Sequence, residues 1–536
     1  MSHISPQGSH VAEIAGEKDD NVILGATDDQ NDDTSSGEDK SVYLHGWALK
    51  SLAMALMSAG FMLSLDDTIL ATAIPRITSD FNSLNDIGWY GASYLVTQMS
   101  LLPTCGRIYT FYDVKWSYMV LMLIFELGSI ICAVSQNSMT LIVGRAVSGL
   151  GAAGLLGGAA ILVSYCVELR QRPLLMGLIT AVYGLGSMMG PLVGGVITDN
   201  EKLTWRFCFW VNLPFGAIGL VQIWFALKNP PPAAKGGLPP MQKIRQLDLP
   251  GATVLIGSIV CLLLALQWGG IVYPWSNAKV YGCLIGFGLI LILFIVMQIK
   301  DQNSCTIPLH LFRNRTTYYW PIYFQSVKGH TAKDSGVQML PLCISSSLSA
   351  LTTGLIISKI GYYVPFMWIG APVLSLGAGL FQLIHTHSPI STWIGYQLVS
   401  GIGYGICGQL PILAVQIVLD KEDVPTGCVL VMFFQCLGGA LATSIGQNLF
   451  TDNLLKNLRS INGVDAEAVV DAGAADFRRL VSSELLDSVI EAFEAAVKNV
   501  FLLAVATAAV ALVVSVGMEW RRLPKDTKSD TGSETA

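Results

Sequence analysis

The chain has 536 residues, of which 52% are hydrophobic and 13% charged, with a mean hydropathy of +0.54. Soluble proteins carry roughly 25% charged residues, so this composition excludes an ordinary soluble enzyme and points to a polytopic membrane protein. The net charge of −6 is concentrated in residues 1–40, where ten acids face two lysines; the remainder is near +2 and offers no basic face for nucleic acid.

Residues 1–46 form an acidic Asp/Ser/Gly-rich tail, predicted to be disordered and to lack a cleavable signal peptide. A bilayer core about 30 Å thick needs about 20 helical residues. Apolar segments of that length are predicted near 47–67, 88–106, 117–134, 140–165, 174–197, 207–227, 249–268, 280–299, 337–357, 362–384, 392–419, 426–449 and 499–520. A cytoplasmic N-terminus puts eleven Lys/Arg in the next four cytoplasmic loops and four in the first four outer loops, as the positive-inside rule requires. Arg313 and Lys359 then fall on the same side with one full span between them. Residues 316–327 are apolar but, at twelve residues, reach only about 18 Å as a helix, so they are read as a truncated span. The Pro-rich, charged stretch 228–248 suits a linker. Residues 451–498 are predicted as the longest outer loop, partly helical. The 11 cysteines form no CxxC pair and read as small membrane-core residues. His385 and His387 resemble a metal pair but are discounted for want of nearby acids, so neither a metal nor a cofactor is expected.

Three constellations carry chemistry. Leu65-Asp66-Asp67-Thr68 closes the first predicted span, and an acid inside a membrane is a functional candidate by default; the alternative is a helix terminus at the outer interface. Arg145 lies about 10 Å inside the outer end of span four, at a depth matching Asp66. Such a pair is a proton switch, because Arg145 favours ionised Asp66 and a proton or a substrate breaks the pair; a static ion pair is the alternative. Burial disfavours a charged carboxylate at Glu126, mid-way along span three, so Glu126 either carries a proton or cross-links helices. The third constellation is Gly186-Ser-Met-Met-Gly190-Pro191-Leu-Val-Gly194-Gly195. Its glycines let a neighbouring helix approach, and Pro191 removes a helix hydrogen bond. Polar side chains that must face protein or water nominate Trp89, Tyr94, Gln98, Gln409, Gln416 and Gln435 as cavity residues, although each alone is as readily a tie between helices.

Together these residues resemble the major facilitator superfamily, in particular its 14-span drug:proton antiporters. Leu65-Asp66-x-Thr68 through Pro75 is similar to that family's first-span motif. Gly144-Arg145 through Gly151 is similar to the fourth-span motif, with Ser148 in place of the usual Gln. Gly186 through Gly195 matches the antiporter motif of span five, and Trp205-Arg206 with Asn212-Leu-Pro-Phe-Gly216 matches the entry to span six. Asp86 to Leu95, Tyr109 to Trp116, Phe125 to Ser129 and Trp320 to Gln325 resemble the fungal toxin-efflux branch. The likeness covers residues 45–520. The loop Gly106 to Lys115 lacks the acid usual at its fifth position, where Thr110 stands. Between Arg315 and Tyr318 the family carries most of a span that is missing here.

The resemblance implies an all-α major facilitator fold of two six-helix bundles with two extra spans between them: a bundle at 47–227, a linker at 228–248, the extra spans at 249–299, a second bundle at 300–520 with an incomplete first helix, and a tail at 521–536. It implies a monomeric, multi-pass plasma-membrane protein with both termini cytoplasmic, exporting a toxin or other amphipathic metabolite in exchange for protons. Two rivals remain: a vacuolar permease for basic amino acids in the same family, and a transporter-like membrane protein that no longer transports.

Overall fold

The computed structural model describes residues 43–81, 86–199, 204–227, 247–269, 273–300, 338–386, 388–419, 423–470 and 484–515, with isolated positions between these segments and a last stretch at 520–523. The acidic tail, the truncated span at 316–327 and His387 lie outside the described residues, as does most of the linker.

Every described element of length is an α-helix. In order they are α1 (Trp47–Phe81), α2 (Ile87–Phe111), α3 (Val114–Ala133), α4 (Ser138–Cys166), α5 (Arg172–Asp199), α6 (Phe207–Trp210), α7 (Asn212–Ala226), α8 (Leu249–Trp268) and α9 (Ala278–Lys300). Then come α10 (Leu340–Ile360), α11 (Val364–Leu380), α12 (Ile390–Cys407), α13 (Leu410–Val418), α14 (Val424–Leu458) and α15 (Leu486–Ser515). The helices start where local chemistry satisfies their free N–H groups. Asp113 accepts from Trp116 N at 3.2 Å, Asn137 from Thr140 N at 2.8 Å and Asp248 from Gly251 N at 3.0 Å. Proline opens α8, α10, α11, α13 and α14, where its missing N–H costs nothing. At the end of α10, Gly361 takes φ +82° and donates to Ile357 O at 2.8 Å, a left-handed cap that suits glycine.

All thirteen predicted full spans fall on helices, and eleven helical segments among the described residues are long and apolar enough to cross a membrane. The other two lie on α2 and α14. Thr97, Gln98, Ser100, Thr104 and Arg107 dilute the apolarity of α2, and the apolar part of α14 is the shorter Val424–Gly439. Two boundaries move. The first helix does not close at Asp67 but runs on to Phe81, so the two acids sit in its interior. The outer loop drawn at 451–498 shrinks to 459–485, because α14 extends to Leu458 and α15 begins at Leu486. Hydropathy marks the apolar stretch of a helix and not the more polar turns that extend it. The extensions are instead held by an apolar cluster of Phe450, Leu454, Leu458, Phe477, Phe493 and Val497, with Phe477 stacked on Phe493 at 4.5 Å.

Helices α1 to α7 pack among themselves, chiefly α1 on α5 and α7, and α4 on α2 and α3. Helices α10, α11, α12, α14 and α15 form a second group, while α8 pairs with α9 and leans on α2. The groups meet through α5 on α10 and through α14 on α2 and α4. These joints gather toward one end of the molecule. An added Cβ at Gly177 would stand 2.7 Å from Ala350 O, and one at Gly354 would stand 3.0 Å from the carbonyl carbon of Pro173. At the same end Arg170 Nε donates to Ser358 O at 2.9 Å and Gln416 Nε2 to Ala160 O at 3.0 Å.

Candidate functional site

Asp66, a full turn and more from either end of the apolar part of α1, meets Arg145 of α4. Arg145 Nη1 donates to Asp66 Oδ2 at 2.6 Å, and the two side chains are 2% and 1% exposed. Arg145 is fixed by two contacts with α2: its Nε donates to Tyr90 O at 3.1 Å and its guanidinium lies 4.3 Å from the centre of the Tyr94 ring. The other carboxylate oxygen, Oδ1, accepts from Asn212 Nδ2 at 2.9 Å, and the same amide nitrogen reaches Ser129 Oγ at 3.2 Å. Four helices, α1, α2, α4 and α7, therefore converge on one buried charge pair. A bidentate environment of this kind holds a charge in a medium that would otherwise reject it. Because α1 continues past Asp67, the interfacial-terminus reading of these acids is overturned.

Glu126 of α3 is also buried, and neither of its oxygens has a hydrogen-bond partner. Its carboxyl fills the space left by the missing side chain of Gly216: an added Cβ there would stand 2.5 Å from Glu126 Cδ. Cross-linking of helices by this carboxyl, one of the two roles expected of it, is not what the geometry shows.

The span-five glycines divide. Gly186, Gly190 and Gly194 face α1, where an added Cβ would meet Phe61 O at 2.7 Å, the Thr68 hydroxyl, and Ile69 O at 2.9 Å, respectively. Gly195 has open space around it and takes no part in the crossing. The helix runs unbroken through Pro191.

Of the proposed cavity residues, Tyr94 and Gln98 are buried and Trp89 is half-buried. Gln416 and Gln435 act as ties, donating to Ala160 O and to Gly408 O at 3.3 Å. Gln409 lies at the junction of α5, α10 and α12 in a crevice of about 20 Å³, with its Oε1 buried and unpartnered. That is room for a single water. His385 is not devoid of acids after all: Glu494 of α15 lies 3.3 Å from its Nδ1, and Lys498 bonds Glu494 at 2.7 Å. The lysine makes this a surface ion-pair network.

Two partners were not singled out from sequence. Asn212 stands in the noted Asn-Leu-Pro-Phe-Gly stretch, whose first residue opens α7, and an amide at that depth was the available signal. Asp67 carries a second tie, since Tyr183 of α5 donates to its Oδ2 at 2.9 Å. No linear pattern connects those two positions.

A buried, multiply bonded charge pair at the meeting of membrane helices, with a second acid beside it, marks a functional site inside a polytopic membrane protein. The sequence profile of the Major Facilitator Superfamily matches residues 56–443, and the chain belongs to that family. It is 57% identical over 523 residues to the MFS-type transporter ltbE of Aspergillus luteorubrus, covering 94% of this chain and 96% of the relative. It is 38% identical over 506 residues to the efflux pump aflT of Aspergillus parasiticus, covering 91% and 98%. Among solved structures the proton:xylose symporter XylE is similar at a TM-score of 0.55, with 10% identity and 89% and 97% of the two chains covered. The human organic anion transporter MFSD10 is similar at 0.54, with 12% identity and 87% and 100% covered. These likenesses establish a major facilitator fold. The alignment with ltbE spans 523 positions but only 94% of the 536 residues here, roughly 504, so about nineteen positions of the relative have no counterpart. The alignment with aflT leaves about eighteen by the same comparison.

Proposed function

We propose that the protein is a proton-coupled efflux transporter that exports an amphipathic secondary metabolite, acting as a monomer in the plasma membrane with both termini in the cytoplasm. The observation that carries the coupling is the Asp66–Arg145 pair. Both groups are buried, and each oxygen of Asp66 has one donor. Protonating Asp66 removes the charge that holds Arg145, so the two states differ in how α1, α4 and α7 are joined. Glu126, unpartnered beside this pair, is the second proton-bearing group. Export as the direction of transport is supported by relatives named as efflux pumps. On this reading α1 to α7 make the first six-helix bundle, α8 and α9 are the inserted spans, and α10 to α15 are the described part of the second bundle.

The end of the molecule that carries Arg107, Arg170 and Lys359 is the cytoplasmic one under the positive-inside rule. The joints of α5 with α10 and of α13 with α4 close that end. Substrate therefore leaves from the opposite side in this conformation. The test is uphill accumulation in inside-out vesicles driven by an imposed pH gradient, for wild type and Asp66→Asn. Wild type accumulates substrate and releases it when the gradient is collapsed, whereas the variant reaches the membrane and equilibrates without accumulating. Accumulation by Asp66→Asn equal to wild type would overturn the coupling role. Fluorescence of the tagged chain at the vacuole instead of the cell edge would overturn the location.

A further inference from the structure

The chain does not leave the bundle where α15 ends at Ser515. Residues 520–523 lie against the turn between α10 and α11. Leu523 N donates to Gly361 O at 2.9 Å, and Arg522 forms an antiparallel bridge with Tyr362. The Arg522 guanidinium lies 5.3 Å from the centre of the Tyr362 ring. The Trp520 ring packs 5.4 Å from that of Trp368 and 6.2 Å from that of Tyr362, and Trp368 Nε1 donates to Ser515 O at 3.2 Å. Chain ends fray unless something ties them down. Here Trp520, Arg521 and Arg522 are exposed while Leu523 is only 2% exposed. One apolar anchor, a backbone bond and packed rings therefore hold the stretch in place.

The anchor sits at a joint. Leu523 belongs to an apolar cluster with Ile357 of α10, Val364 of α11 and Leu410 and Leu413 of α13. Leu169 packs against the same cluster from the connection between α4 and α5, in the other helix group. The residue after it, Arg170, bonds Ser358 O and reaches Lys359 O at 3.5 Å, just before the Gly361 carbonyl that Leu523 holds. We propose that residues 520–523 are a clasp that keeps the Arg170 end of the molecule shut, a conformational device made from the chain's own tail. Leu169 meets the cluster only while the two helix groups are together at this end. The apolar surface that Leu523 adds to the cluster therefore stabilises the closed arrangement over an open one. The bond to Gly361 also steadies the end of α10 that Arg170 grips. Such a clasp biases conformation whichever way a solute moves, so it does not depend on the efflux reading.

The experiment places spin labels at the exposed Gln171 and Lys359 of the full chain in nanodiscs, with no gradient and no solute, and reads the distance distribution. Leu523→Ala, and separately a chain ended after Glu519, should each raise the long-distance population about threefold or more over wild type. A chain ended after Lys525 keeps the clasp and should match wild type. An unchanged distribution in Leu523→Ala and in the chain ended after Glu519 overturns the proposal. So does a shift of equal size on ending the chain after Lys525, which would put the effect outside residues 520–523. A lowered melting temperature with an unchanged distribution overturns it too, because the tail would then support the second helix group alone. Leu523→Ala keeps the test decisive if the chain ended after Glu519 is not monodisperse.

Discussion

Arg145 is the one cation in contact with Asp66 among the described residues, and that governs what substitution does. Removing Arg145 leaves a buried carboxylate uncompensated, which typically costs 3–5 kcal/mol. We therefore expect Arg145→Met to lower thermal stability in detergent by about that amount, and Asp66→Asn combined with Arg145→Met to recover most of the loss. A thermal melt of the four proteins checks this, and equal destabilisation in the single and double variants would show the pair to be independent. Glu126 differs in kind. It bonds nothing among the described residues, so Glu126→Gln should still fold while lowering the number of protons exchanged per substrate. Proton flux measured against substrate flux gives that number, and an unchanged ratio would remove Glu126 from the coupling.

At the scale of elements, the span-five motif is a helix crossing with one face. Gly190→Ala forces a Cβ into the Thr68 hydroxyl and should separate α5 from α1, cutting export severely. Gly195→Ala enters open space and should be neutral. Similar transport in both variants would refute the crossing as the motif's function. A second element-level device is Arg170. It donates to Ser358 O, one of the terminal carbonyls of α10, where a cation also meets the negative end of the helix. The stretch Gly106 to Lys115 carries Thr110 where the family usually has an acid, and the Arg170 contact joins the two helix groups at the same end. Spin labels at the exposed Gln171 and Lys359 should show a longer mean distance in Arg170→Ala, with an open population raised several-fold by the loss of a charge-assisted bond worth about 1.5–3 kcal/mol. An unchanged distance distribution would show the closure not to rest on this bond.

For the whole molecule, two observations concern the length of the chain. Loop charges need an additional crossing between Arg313 and Lys359, and residues 316–327 are too short to make it. Two relatives, ltbE and aflT, align over about eighteen or nineteen more positions than this chain supplies. We expect the messenger RNA across codons 310–325 to encode a further ten to twenty residues, roughly the deficit against a full crossing. Restoring them should raise export and yield together. A transcript that reads as this chain does, from a protein that still pumps uphill, would show that the second bundle works with its first helix shortened.

The fold was legible in the chain because lipid demands it. Every crossing must be a run of apolar residues long enough to satisfy its own backbone, so composition and run length place the thirteen apolar runs on helices, though not the ends of α1, α14 and α15. The Asp66–Arg145 pairing was legible for the same reason: charges are so costly in hydrocarbon that two of opposite sign at one depth must meet. Where polarity and structure part company, the sequence was silent. The reach of α1 to Phe81 and of α14 to Leu458 is set by packing on other helices, which leaves no mark in local hydropathy. Asn212 as the second donor to Asp66, the Gly216 hollow that holds Glu126, and the Tyr183 bond to Asp67 depend on how α1, α3, α5 and α7 cross. Those crossings are fixed by contacts between residues tens to more than a hundred positions apart, and only the assembled bundle contains them.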